Sequence, residues 1–144
     1  MPNRQNGYTV VELLIVLGII TIVAGLGLFL SADTYRSSNF SAGVDAVTVS
    51  LQRARSRAIN NIDAKRHGVK ITGGDYVIFT TDNNYTGRDA TKDEIIAGGA
   101  GFVFSGADEF VFDRLSGKTT AGDVTVTAGG KTATISINSQ GRIN

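Results

Sequence analysis

A chain of 144 residues with a formal net charge of +1 has room for one domain and a moderate core. The balance of 14 basic and 13 acidic side chains excludes a general nucleic-acid profile, and the lack of cysteine excludes disulfides and thiolate metal sites. Hydrophobic residues make up 42%, an ordinary share placed unevenly: residues 13–30 are almost wholly apolar, and the remainder is polar and glycine-rich. Eighteen glycines among many Thr, Val and Ile residues predict a β-rich part with tight turns. The only proline is Pro2, so no helix interior is broken by one.

In a secretory signal peptide the small residue at the cleavage point follows the apolar run. Here Gly7 precedes it, so cleavage after Gly7 leaves the apolar helix on the mature chain. The run from Val10 to Leu30, at about 1.5 Å per residue, matches a hydrocarbon core of about 30 Å. Arg4, on the short side, predicts a cytoplasmic N-terminus with the rest of the chain outside. Glu12 stands out, because a carboxylate in an apolar layer is costly. Two readings are open: an interfacial Glu favoured by the helix dipole, or one needing a positive partner such as a free amine at Tyr8.

The segment Gly7-Tyr8-Thr9-Val10-Val11-Glu12-Leu13-Leu14-Ile15-Val16-Leu17 resembles the N-terminal motif of type IV pilins. The resemblance implies cleavage by prepilin peptidase after Gly7, N-methylation of Tyr8, and a role for Glu12 in subunit docking. Tyr8 keeps the aromatic ring where the family usually has Phe. Gly18, Gly25 and Gly27 would either loosen the helix or let helices approach closely.

Beyond Leu30, residues 31–66 are expected to form an amphipathic helix. Val44, Val47, Leu51, Ala54, Ala58 and Ile62 recur at three- and four-residue spacing, one face packed on the β-rich part. Asp63 and Gly68 are expected to bracket its exit. Residues 53–70 are strongly basic (Arg53, Arg55, Arg57, Lys65, Arg66, Lys70), whereas residues 75–123 are mostly acidic. Three uses are open: a solvated helix face, pairing of basic and acidic surfaces between subunits, and phosphate contact with DNA.

Residues 67–144 read as a β-rich head. Val69–Thr72 and Asp75–Thr80 flank Gly73-Gly74, and residues 124–128 and 131–137 flank Gly129-Gly130, so two hairpins are expected. Residues 102–104 and 110–112 add short strands, giving one or two antiparallel sheets against the helix. The segments 51–59, 76–79, 82–87, 93–96, 112–117 and 135–143 are together similar to the GspH/FimT group of minor pilins and pseudopilins. DNA-binding members of that group carry two closely spaced arginines after a Gly near the C-terminus; Gly141-Arg142 supplies one of them.

Asp82, Asn84 and Thr86 sit at calcium-loop spacing, but Asp93 stands where an EF-hand has a bidentate Glu, and such residues also build ordinary turns. His67 is the only histidine and no motif flanks it, so no catalytic residue, metal site or cofactor is expected. The expectation is an α+β chain with the pilin fold, a long N-terminal helix packed on a C-terminal antiparallel head. Its parts are a leader at 1–7, a membrane or filament-core helix at 8–30, an amphipathic helix at 31–66 and the head at 67–144. The function expected is a minor pilin or pseudopilin of a type IV pilus or type II secretion pseudopilus. The alternatives are a DNA-binding minor pilin of a DNA-uptake filament, using Arg53, Arg55, Arg57, Lys65, Arg66 and Arg142, or a major pilin. Expected partners are other pilin or pseudopilin subunits, prepilin peptidase, the inner-membrane assembly platform and, through residues 10–30, the membrane. The precursor would be a single-pass plasma-membrane protein with its head outside the cytoplasm, later passing into the filament.

Overall fold

The computed structural model describes residues 8–99 and 101–144, except the side chains of residues 27–35. Helix α1 spans Val10–Ile59. Thr9 starts it: its carbonyl accepts the Leu13 N–H at 3.2 Å, and its hydroxyl accepts the Glu12 N–H at 3.3 Å. The chain divides into two compact units, the second being Asn39–Asn144. In the first unit the described side chains of Val10–Leu26 are exposed all round the helix. A helix apolar on every side needs a partner or an apolar solvent.

Within the second unit, Val47, Leu51, Ala54 and Ala58 are buried, which is the face that the three- and four-residue spacing predicts. Ile62 does not continue it and is 45% exposed. The helix ends at Ile59 rather than 66, because Asn61, Asp63 and Ala64 adopt φ of 54°, 56° and 53°. Right-handed helix cannot pass through left-handed residues. The Ala58 carbonyl, left over at the helix end, accepts from both Asn61 and Leu115 N–H groups. Lys92 pairs with Asp63 at 2.7 Å across this turn.

Seven strands follow: β1 (Arg66–Thr72), β2 (Asp75–Thr81), β3 (Glu94–Ile96), β4 (Val103–Gly106), β5 (Glu109–Phe112), β6 (Gly122–Ala128) and β7 (Lys131–Ile137). They form two antiparallel sheets, in the orders β3-β2-β1-β5 and β4-β6-β7. Both expected hairpins are present. Gly73 and Gly74 have φ of 60° and 98°, and Gly129 and Gly130 have 58° and 79°. Two successive positive-φ residues match the right-handed strand twist, and glycine allows them without strain. The segments around 103 and 110 are strands but belong to different sheets, β4 beside β6 and β5 beside β1. The α1 face packs with Val69, Ile78, Phe112, Val124, Val126 and Ile135 in one core.

Gly68 lies inside β1, not at a helix exit. A Cβ there would strike the Phe79 ring and come within 2.6 Å of the Phe110 carbonyl oxygen. The outer face of β2 is covered as well. Residues 82–93 fold across it, with Tyr85 edge-on to Phe79 at 5.2 Å between centroids and the Arg88 guanidinium 3.8 Å over the Tyr85 ring. Asp93 fixes Arg88 at 2.7 Å.

Candidate functional site

Two regions carried functional expectations: the start of α1 and the basic stripe of residues 53–70. Gly7 and the rest of the leader, residues 1–7, lie outside the described residues. Tyr8 is 84% exposed. Glu12 stands exposed in the first turn of α1, three residues after Thr9. Thr9-x-x-Glu12 is therefore a capping-box spacing, and the Thr9 half of it is formed. This cap was legible in the sequence and adds a local role at Glu12, where the dipole of the helix also favours a carboxylate. Among the described residues no helix is long and apolar enough to cross a membrane. The run expected to do so, 8–30, continues past Leu26 into residues whose side chains are not described.

The basic stripe is largely occupied within the head. Arg53 and Arg57 both pair with the Glu94 carboxylate on β3. Lys65 meets Asp82 at 2.9 Å, Arg66 meets Asp113 at 3.2 Å, and Lys70 meets Asp108 at 2.8 Å. Arg55 lies between, its terminal nitrogen 3.5 Å from the Gln140 carbonyl. Thus the acidic segment answers the basic one inside a single chain, a fourth use beside the three that the charge pattern suggests. A phosphate group at Arg53, Arg57, Lys65 or Arg66 would compete with a carboxylate already in place. Arg142 has an exposed side chain, while its backbone N–H is held by the Asn138 side chain at 2.9 Å. Its neighbour Gly141 has φ of 73°, and a Cβ there would collide with the Gly117 carbonyl. Gly141 thus serves a close approach of two loops over α1.

These pairs carry a pH dependence. The Lys70 ammonium donating to Asp108 holds that carboxyl below its ordinary range, and Asp108 in turn raises Lys70. A depressed folded-state value gives stability that is present above the unfolded value of about 3.9 and is lost as pH falls through the folded one. Asp108→Asn is expected to melt slightly below the parent at pH 7 and together with it in strong acid. Asp108 is 68% exposed, so the gap is small and shrinks with salt. Thermal melts at both pH values check this; a gap that persists or widens in acid would contradict it.

Three of the residues at calcium-loop spacing are turned to other partners. Asp82 faces Lys65, the Asn84 side chain accepts the Gly87 N–H at 3.1 Å, and Asp93 faces Arg88. His67 sits in β1 with 1% exposure, its Nε2 3.0 Å from the Ile62 carbonyl oxygen and its Nδ1 3.3 Å from the Thr80 hydroxyl. Both ring nitrogens are thus used structurally, consistent with an Nε2–H donor and a Thr80 hydroxyl that donates to Nδ1.

A family model for the prokaryotic N-terminal methylation motif matches residues 2–28. Comparison with curated proteins and with solved structures returned no significant match. The motif supports a type IV pilin-like protein made as a prepilin. The α+β architecture, an N-terminal helix followed by an antiparallel β head, is consistent with the pilin fold. Motif and fold together suggest a structural subunit rather than an enzyme.

Proposed function

We propose that this chain is a minor pilin or pseudopilin of the GspH/FimT kind, cut after Gly7 by prepilin peptidase and methylated at Tyr8. The precursor is held in the plasma membrane by residues 8–30 with its head outside the cytoplasm. An assembly platform then moves it into a type IV pilus or type II secretion pseudopilus. The observation that carries this reading is the methylation motif at residues 2–28, which includes a helical stretch whose Val10–Leu26 side chains are apolar, apart from Glu12 and Thr21, and exposed on every side. In the bilayer that surface faces lipid. In a filament, neighbouring helices replace lipid at little cost in apolar contact, so polar matching and close packing decide the arrangement.

Glu12 is the residue proposed to make that arrangement specific. A carboxylate in an apolar bundle demands a cation, and the amine that cleavage creates at Tyr8 of a neighbour is one. Glu12→Ala is expected to be processed and to keep a folded head, yet to fall at least about ten-fold in sheared filaments, as expected when a paired charge is left alone. Immunoblots of sheared and membrane fractions read this directly. Parent-level incorporation of the variant would remove Glu12 from the mechanism.

A further inference from the structure

Arg55, Arg114, Lys118 and Arg142 form no ion pair among the described residues, whereas Arg53, Arg57, Lys65, Arg66 and Lys70 all do. The fold gathers these four at the C-terminal end of α1. The loop 113–118 follows β5, and the loop 138–142 follows β7. The two meet at Gly117 and Gly141, both buried, with φ of 63° and 73°. A Cβ on Gly141 would strike the Gly117 carbonyl, and one on Gly117 would come within 2.7 Å of Ile59 and 3.3 Å of Arg55. Arg55 reaches the Gln140 carbonyl at 3.5 Å, and Arg114 the Ala64 carbonyl at 2.9 Å. Both acceptors are neutral, and Lys118 and Arg142 are exposed, so charge of one sign collects on one surface.

Leu115 belongs to the same loop and is an outlier. Its φ is 66°, in the left-handed region that strains a bulky L-residue. Its N–H donates to the Ala58 carbonyl at 2.9 Å, which explains the turn of the backbone but not the side chain. A glycine N–H would make the same bond without strain. Nor does burial in the head offset the strain, because Leu115 is 62% exposed. Ile59, close to Gly117, is 37% exposed and extends the apolar spot. Strain kept with no return inside the head marks a surface used outside it. An apolar centre with a charged rim is the anatomy of a protein–protein contact, and arginine forks at such a rim match carboxylates.

We propose that this end of the head docks on a different subunit of the filament, Leu115 and Ile59 entering an apolar pocket rimmed by Asp and Glu. The proposal rests on the filament reading and names the chemistry of one neighbour. A second copy would bring cations to cations at this patch, which disfavours it. Nucleic acid would take up the four cations through its phosphates but has no use for the strained apolar centre.

Experiments on the full chain in cells test it. Leu115→Gly should lower incorporation into sheared filaments about ten-fold, the loss of one interface anchor. The same variant should melt at or above the parent temperature, because glycine relieves the left-handed backbone. Lys118→Glu with Arg142→Glu should lower incorporation by a similar factor with the head still folded, and Lys118→Arg with Arg142→Lys should keep it. Parent-level incorporation of Leu115→Gly or of the charge-reversed pair, or an equal loss in the charge-conserving pair, would overturn the contact. Ser116→p-benzoylphenylalanine, irradiated in cells, should link the chain to another subunit of the sheared filaments at a peptide rich in Asp and Glu. In the charge-reversed background the adduct should disappear. An adduct removed by nuclease, an adduct with a second copy, or no adduct would also overturn the proposal. Parent incorporation is scored alongside: a parent in filaments with unaffected variants rejects this contact alone, and a parent absent from filaments rejects the filament reading with it.

Discussion

Gly68→Ala is expected to destabilise the head by about 3 kcal/mol or more, the upper range of overpacking in a filled core. Gly68 sits in β1 between β2 and β5, paired with Phe79 and Val111. The added methyl meets the Phe79 ring on one side and the Phe110 carbonyl oxygen, 2.6 Å away, on another. Phe79 is fully buried and braced by Tyr85, so it has no free rotamer to retreat into. The carbonyl belongs to the strand backbone and moves only if the β1–β5 ladder moves. Gly18→Ala provides the control, since a Cβ at Gly18 meets nothing within 4 Å and the head is untouched. Urea unfolding of the detergent-solubilised chain, followed by circular dichroism, measures both. A Gly68→Ala head within about 1 kcal/mol of the parent would mean that the strand packing described above is wrong.

The second large effect concerns Gly7. Under the proposed function, Gly7→Leu leaves the leader attached, because a branched side chain is placed beside the bond that prepilin peptidase must cut. The variant should accumulate in membranes with Met1 or Pro2 at its start and vanish from sheared material. Its head should fold normally, as residue 7 lies outside the unit Asn39–Asn144. Immunoblot mobility and N-terminal peptide analysis of membranes give the readout. Parent-like processing of Gly7→Leu would place the cut elsewhere and detach Tyr8 from the methylation role.

What the sequence disclosed, and what it withheld, follows the range of the interactions involved. The buried face of α1 was readable because Val47, Leu51, Ala54 and Ala58 repeat at helical spacing. The hairpins were readable because Gly-Gly pairs supply the positive φ that a two-residue turn needs. The end of α1 was misplaced although Asn61 and Asp63 are residue types that accept a left-handed backbone; the apolar spacing runs on to Ile62, and the Leu115 loop that takes up the Ala58 carbonyl is far along the chain. Distance also hid the fate of the basic stripe. Arg53 finds Glu94 across 41 residues of sequence, a pairing that needs β3 to be laid beside β2 first. A segment that looked like a calcium loop is a cover on β2, and only the edge-on contact of Tyr85 with Phe79 reveals it. The Thr9-x-x-Glu12 cap, by contrast, was local and could have been read at once.

The central claim is that this chain becomes a processed filament subunit, and its N-terminus in the filament is the most direct witness. Filaments sheared from cells would be digested and analysed by mass spectrometry, quantifying the N-terminal peptide beside those of the other subunits. The account predicts a peptide beginning at methylated Tyr8, present at low abundance relative to another pilin. A chain missing from sheared material and retained in membranes from Met1 would contradict it.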